Sequence, residues 1–304
     1  MGHDHGHGIS AGRAHRGRLL VVLAITVAVL VAEVVGAALT GSLALLADAG
    51  HLLTDVAGIS LAVLAVSFAS RPATPQRTFG YYRLEILAAV INAVLLFAVA
   101  LFVLWESWRR WQEPSDVAGG PMLAFALVGL VASLVGVVVL HAGSKESLNV
   151  RGAYLEVLGD LLGSGAVVVA AIVIVATGFQ RADVIASVVV ALLILPRTWS
   201  LLREAVDVLL EATPKGVDVE EVRRHILGTP GVLDTHDLHI WTITSGLPVL
   251  STHVVVTDEA LADGGAASVL DELHHCLAHH FDVEHCTFQL EPLSHAAHEF
   301  DSHP

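Results

Sequence analysis

Over its first two thirds the chain alternates long apolar runs with short polar breaks, and then its texture changes. The apolar runs predict helices at Leu19–Leu39, Leu43–Phe68, Ile86–Trp105, Met122–His141, Tyr154–Ala176 and Val184–Leu202. Each is long enough to cross a bilayer, since ~30 Å of hydrocarbon takes about 20 helical residues. Backbone polar groups must be satisfied internally in lipid, and no strand-like alternation runs through these segments, so they read as spanning helices. The first run follows Arg13, Arg16 and Arg18 and mimics a secretory leader. It is longer than a leader's apolar core and lacks a small-x-small cleavage site, which keeps it as a helix.

From Thr213 onward the segments are short and amphipathic, with Pro214 marking the boundary. Asp218–Leu227 predicts a helix stopped by Gly228 and Pro230. Val232–Ile243 predicts a strand, Ser245-Gly246 the turn and Pro248–Thr257 the returning strand. Ala266–His280 is a second helix and His285–Glu291 a last strand. The order αββαβ implies a small α+β sandwich with helices on one sheet face. The expected organisation is a flexible tail at 1–18, an all-α six-helix membrane bundle at 19–212, an α+β cytoplasmic domain at 213–292 and a flexible tail at 293–304.

Composition agrees with a membrane class. Apolar residues make up 54% of the chain and charged residues 15%, against about 25% charged in soluble domains; mean hydropathy is +0.69. The net charge of −14, with acidic residues dominating from Asp207 onward and no basic block, excludes nucleic acid as a partner class. Two cysteines, Cys276 and Cys286, make no disulfide framework and no CxxC pair. Charge also orients the bundle. Arg13, Arg16, Arg18, Arg71, Arg77, Arg83, Lys145, Arg151, Arg197 and Arg203 fall on one side, against Arg109, Arg110 and Arg181 on the other. The positive-inside rule then puts both termini in the cytoplasm, and Trp105, Trp108 and Trp111 form an interfacial belt at the far end of the third span.

Polar residues inside the spans carry the chemistry. An ionisable group at mid-bilayer costs at least ~2.5–3.5 kcal/mol, so each asks for a reason. Span two holds Asp48, His51 and Asp55 on one helical stripe, and span five holds Glu156 and Asp160 at i, i+4. Brought together, His51, Asp55, Glu156 and Asp160 offer one imidazole and three carboxylates, a ligand count that suits zinc. The bland alternative is a buried ion-pair network, but no Lys or Arg is expected at comparable depth, and unpaired carboxylates in low dielectric repel. Asp48 and Asn92 are read as groups beside the ligands or along the ion's path. For Glu33 and Asn92 hydrogen-bonded helix packing competes with that role. Asp183 opens span six, where a carboxylate favours the helix dipole. Eighteen histidines are the compositional outlier. In the cytoplasmic domain His236, His253 and His285 on the strands, with His239 beside them, are candidate ligands for a regulatory metal, with solvated surface as the alternative. The helical cluster His274, His275, Cys276, His279 and His280 reads more readily as exposed surface, and the Gly-spaced His3, His5 and His7 as weak metal capture.

The run Ser42-Leu43-Ala44-Leu45-Leu46-Ala47-Asp48-Ala49-Gly50-His51-Leu52-Leu53-Thr54-Asp55 resembles the second helix of the cation diffusion facilitators, exporters of zinc, cobalt and cadmium. So do Thr78-Phe79-Gly80-Tyr81-Tyr82-Arg83, Ser147–Tyr154, Gly159-Asp160-Leu161-Leu162-Gly163-Ser164 and His236-Asp237-Leu238-His239-Ile240-Trp241, and the likeness runs from about Arg18 to Glu291. The resemblance implies a homodimer in a plasma membrane of bacterial type, with a metal site between helices two and five of each protomer. It also implies a ferredoxin-like cytoplasmic domain that dimerises and binds metal. Cytoplasmic metal is expected to leave in exchange for protons, with no catalytic cofactor. His51, Asp55 and Asp160 fall on matching family positions, whereas zinc-transporting members usually carry His where this chain has Glu156. The connection Ala142–Gly152 is short and lacks the family's His-rich loop. Two other classes compete. An intramembrane metalloenzyme would need a motif such as HExxH, which is absent; a membrane-anchored metal sensor would not need carboxylates on two separate helices.

Overall fold

A computed structural model describes residues 7–296 apart from 70–71, 142–147, 245, 263, 282 and 284. His3 and His5, Lys145, Ser245 and the tail beyond Ala296 therefore lie outside the described residues, as do the side chains of His7, His279 and His280. Six long helices occupy the predicted runs: α1 (His7–Thr40), α2 (Leu43–Ala69), α3 (Arg83–Gln112), α4 (Gly119–His141), α5 (Leu148–Thr177) and α6 (Arg181–Leu209). Among the described residues α3, α4, α6 and Tyr154–Thr177 of α5 are long and apolar enough to cross a membrane, and Ala24–Thr40 forms a shorter apolar stretch. Helix α1 begins at His7, inside the segment expected as a flexible tail. Residues 8–18 contain no proline, and their Ala and Arg favour helix against the cost of Gly8, Gly12 and Gly17.

The chain divides into two compact units. In the first, residues 1–63 and 88–202, a continuous core of Leu45, Leu96, Val103, Met122, Val167, Ala171, Val190 and Ile194 joins α2 to α6. Small residues let the helices close on polar groups. A Cβ on Gly58 would lie 2.8 Å from Asn92 Nδ2, and one on Gly129 would lie 2.5 Å from Glu33 Oε1. Both glycines make room for a polar side chain, and Asn92 Oδ1 is buried there without a hydrogen-bond partner.

The turn between α1 and α2 is only two residues long, with Gly41 at φ 70°. It leads into a helix start whose amides all find partners. Ser42 Oγ accepts from Leu45 N (3.1 Å) and donates to Asp183 Oδ1, while Leu43 N and Ala44 N donate to the Asp183 carboxylate at 2.8 and 3.2 Å. The first amides of α2, orphaned by helix geometry, are thus capped from within and from α6. Asp183 stands in the first turn of its own helix, as expected, but its hydrogen bonds serve a different one.

The second unit comprises residues 64–87 and 203–304. It contains α7 (Val219–Leu227), β1 (Val232–Thr242), β2 (Pro248–Val256), α8 (Asp258–Leu261), α9 (Gly265–Phe281), β3 (His285–Pro292) and α10 (Leu293–Ala296). Apart from the short α8 and α10, this is the αββαβ order. Asp218 caps α7, accepting from Glu220 N and Glu221 N. The described sheet has three strands in the order β1-β2-β3, antiparallel then parallel. Val222 and Ile226 of α7 and Leu273 and Leu277 of α9 pack with Ile240, Leu250 and Val254 in one apolar layer.

Candidate metal centres

Four-residue spacing on α2 stacks His51 and Asp55, and Asp160 reaches them from α5. His51 Nε2 lies 3.1 Å from Asp160 Oδ1 and 3.7 Å from Asp55 Oδ2. One ligand atom from each of the three falls within 4.8 Å of the others. His51 is 7% exposed, and its Nδ1 is buried without a hydrogen-bond partner. The chemistry therefore concentrates at Nε2. Protonated, that nitrogen donates to Asp160; unprotonated, it turns a lone pair toward the point faced by two carboxylates. Such a centre has the chemistry to exchange a proton for a metal ion at one atom.

Glu156, the fourth expected ligand, is not in this group. Its Oε1 lies 2.5 Å from Arg197 Nη2 on α6. The expectation that no Lys or Arg sits at comparable depth is thus corrected: the sequence places Arg197 with the charges at the end of span six. Its side chain is long enough to reach inward from there while its backbone stays near the helix end. Asp48 also stays outside the three-residue group, accepting from Ser164 Oγ at 3.1 Å.

Two cavities meet at this centre. One of about 150 Å³ is walled by Asp48, His51, Glu156, Asp160 and Arg197. Another of about 410 Å³ is walled by Glu33, Asp48, Asp160, Ser164 and apolar side chains of α1 and α4. Asp48 and Asp160 line both. Asn92 lines neither; it covers Gly58, one turn beyond Asp55.

A second group forms on the sheet. His236 and His253 are directly paired across β1 and β2, their rings 5.0 Å apart. His253 Nδ1 lies 2.8 Å from Glu291 Oε1, and His236 Nε2 lies 3.7 Å from Glu291 Oε2. Glu291 is 1% exposed, and one ligand atom from each of the three falls within 4.8 Å of the others. A bulge shapes this arrangement. Between His236 and His239 the first strand advances three residues while β2 advances two, from His253 to Ser251, and Asp237 takes up the extra residue at φ 48°. Beyond the bulge His239 is exposed and opposite Ser251, outside the group.

His285 is also outside it. Parallel pairing sets His285 beside Val249, while Glu291 arrives beside Val255 near His253. His285 instead packs edge-on against Phe79, ring centroids 5.7 Å apart. Glu291 and Arg197 are the two residues the sequence reading missed. The available signals were an acidic residue two positions from Gln289, the strand partner of His253, and so on the same sheet face, and an arginine placed within an apolar span.

Residues 19–210 match the cation efflux transmembrane domain family, and residues 214–293 match the cation efflux protein cytoplasmic domain. The metal cation efflux system protein CzcD of Cupriavidus metallidurans is 46% identical over 291 residues, covering 96% of this chain and 90% of that protein. The zinc transporter ZitB of Escherichia coli is 42% identical over 295 residues, 96% of this chain and 93% of its own. A Bacillus subtilis protein described as a cadmium, cobalt and zinc/H(+)-K(+) antiporter is 40% identical over 297 residues, covering 97% of this chain and 93% of that protein.

Proposed function

The chain belongs to the cation efflux family, the cation diffusion facilitators, and on that premise we propose that it exports zinc, and cobalt or cadmium beside it, in exchange for protons. The observation that carries this reading is the buried cluster of His51, Asp55 and Asp160 on two membrane helices. One imidazole and two carboxylates hold a divalent ion and leave a fourth position for water or a further ligand. Binding needs neutral His51 and ionised carboxylates, so loading releases protons, and protons arriving from the opposite side expel the ion. The protein acts as a secondary transporter and not an enzyme. It works as a homodimer in a bacterial plasma membrane with both termini in the cytoplasm, in keeping with the ten-to-three distribution of basic residues across the spans.

In the cytoplasmic domain His236, His253 and Glu291 would hold a regulatory metal. Two imidazoles and a buried carboxylate are a donor set that zinc accepts. Metal there biases the dimer toward a transport-competent arrangement to the extent that it binds that arrangement more tightly.

The test is zinc flux into proteoliposomes containing the full chain, with an imposed proton gradient. His51→Ala, Asp55→Ala and Asp160→Ala are each expected to abolish flux while the protein remains inserted. Flux surviving any one of these changes refutes the three-ligand site.

A further inference from the structure

We infer that Arg197 sets the metal affinity of the transport site by competing with the cargo for Glu156, an assignment that rests on the transport reading above. A cationic side chain is an unexpected wall for a cavity that admits a cation, because it repels the cargo. Yet Arg197 lines the same cavity of about 150 Å³ as His51, Asp160 and Glu156. Its Nη2 sits 2.5 Å from Glu156 Oε1, and it lies within electrostatic reach of Asp55 and Asp160 as well.

Charge counting supplies the reason. Asp55, Asp160 and Glu156 together carry three negative charges beside a neutral His51, and Asp48 stands on the same cavity wall, so the carboxylates exceed the charge of a divalent ion and Arg197 offsets part of that excess. Without Arg197 the site would be over-charged for its cargo, with a fourth donor free to close around the ion. Such a site binds tightly and releases slowly. With the pair intact, an arriving cargo first meets three ligands and gains Glu156 only in competition with Arg197.

The pair is also placed to exchange. Its side chains are 40% and 35% exposed and both line the cavity, so an arriving ion can reach the pair and draw Glu156 away. A fully buried pair would be locked. Arg197 thus acts on affinity, and through affinity on release, without itself binding the ion.

The experiment is zinc flux in proteoliposomes over a range of zinc concentrations for the natural chain, R197Q, E156Q and the double variant. R197Q is expected to lower KM about tenfold and to lower the maximal rate, because zinc gains a ligand. E156Q is expected to raise KM about tenfold, because an unpaired Arg197 then faces the cargo. The double variant, with both charges removed, returns KM to within about threefold of the natural value. An ion pair that only holds α5 to α6 would lower the amount of folded protein in both single variants and leave KM alone. That result, or both single variants moving KM in the same direction, overturns the assignment. If R197Q does not fold, E156Q against the double variant decides: a raised KM restored by the second change supports the competition, and equal KM values overturn it. A natural chain that moves no zinc overturns the transport reading and this assignment together. Normal transport with an unaltered KM pattern overturns this assignment alone.

Discussion

Replacing Asp183 by alanine removes no proposed metal ligand, yet it is expected to disable the helix that carries two of those proposed, His51 and Asp55. The side chain is 1% exposed and accepts from Ser42 Oγ, Leu43 N and Ala44 N. Alanine leaves those two amides buried without partners, at about 1–3 kcal/mol each, and removes a charged cap worth roughly 0.5–2 kcal/mol. The Ser42 hydroxyl rotates freely and still caps Leu45 N, so its loss is small. Because the cap consists of those same hydrogen bonds, the two amides set the total at about 2–6 kcal/mol, which for a chain of this size lowers the melting temperature by about 10 °C. Asp183→Asn keeps one acceptor oxygen and should lose roughly half as much. Thermal unfolding of the full chain in detergent, followed by circular dichroism, measures both variants, and zinc flux in proteoliposomes measures the consequence for the site. An alanine variant melting within about 2 °C of the natural chain would falsify the argument that this carboxylate holds the start of α2.

Two further predictions concern the cytoplasmic domain. Glu291→Gln removes the charged donor shared by His236 and His253, so zinc binding at that group, read by calorimetry on the full chain carrying the additional change His51→Ala, should weaken by about tenfold to a hundredfold; unchanged affinity would show that Glu291 is no ligand. Burial pushes the Cys286 thiol up to about 11, and since a thiol with a raised pKa stays protonated at neutral pH, iodoacetamide at pH 7.5 should leave it unmodified in the folded chain and label it after denaturation; rapid labelling of the folded protein would contradict its placement.

The spanning helices were legible because an apolar run of about 20 residues has few other readings, and α2 to α6 each overlap the run that predicted them. The spacing of His51 and Asp55 was equally plain, since residues four apart share a helix face whatever packs against it. Asp160 joining them required α5 to approach α2, which the carboxylate at mid-span suggested but could not place. What stayed hidden depended on partners far along the chain. Asp183 advertises a helix start, but nothing local says that the start it serves lies 140 residues earlier. Arg197 is easily judged by the height of its backbone, and a side chain of that length works from a different height than its Cα. The sequence groups His285 with His236 and His253 because it opens a neighbouring strand. Parallel strands align start with start, so His253 in the middle of β2 pairs with Gln289, and the third member of its group is Glu291, two residues further along β3 on the same sheet face.

The capped start of α2 has a mechanical consequence. One end of this helix is tied to α1 by a two-residue turn, to α6 by the Asp183 carboxylate and to α3 by Arg110 Nη1, which donates to Gly41 O at 2.6 Å. Sliding along its axis would break all three ties, whereas tilting about that end strains them little. The helix is then a lever with its fulcrum at Leu43, and His51 and Asp55 sit about 12 and 18 Å along it at ~1.5 Å per residue. A tilt of about 10° carries His51 by ~2 Å and Asp55 by ~3 Å, enough to pull apart ligand atoms that lie within 4.8 Å of one another. The residue farther from the fulcrum moves more, so such a tilt would loosen Asp55 before His51.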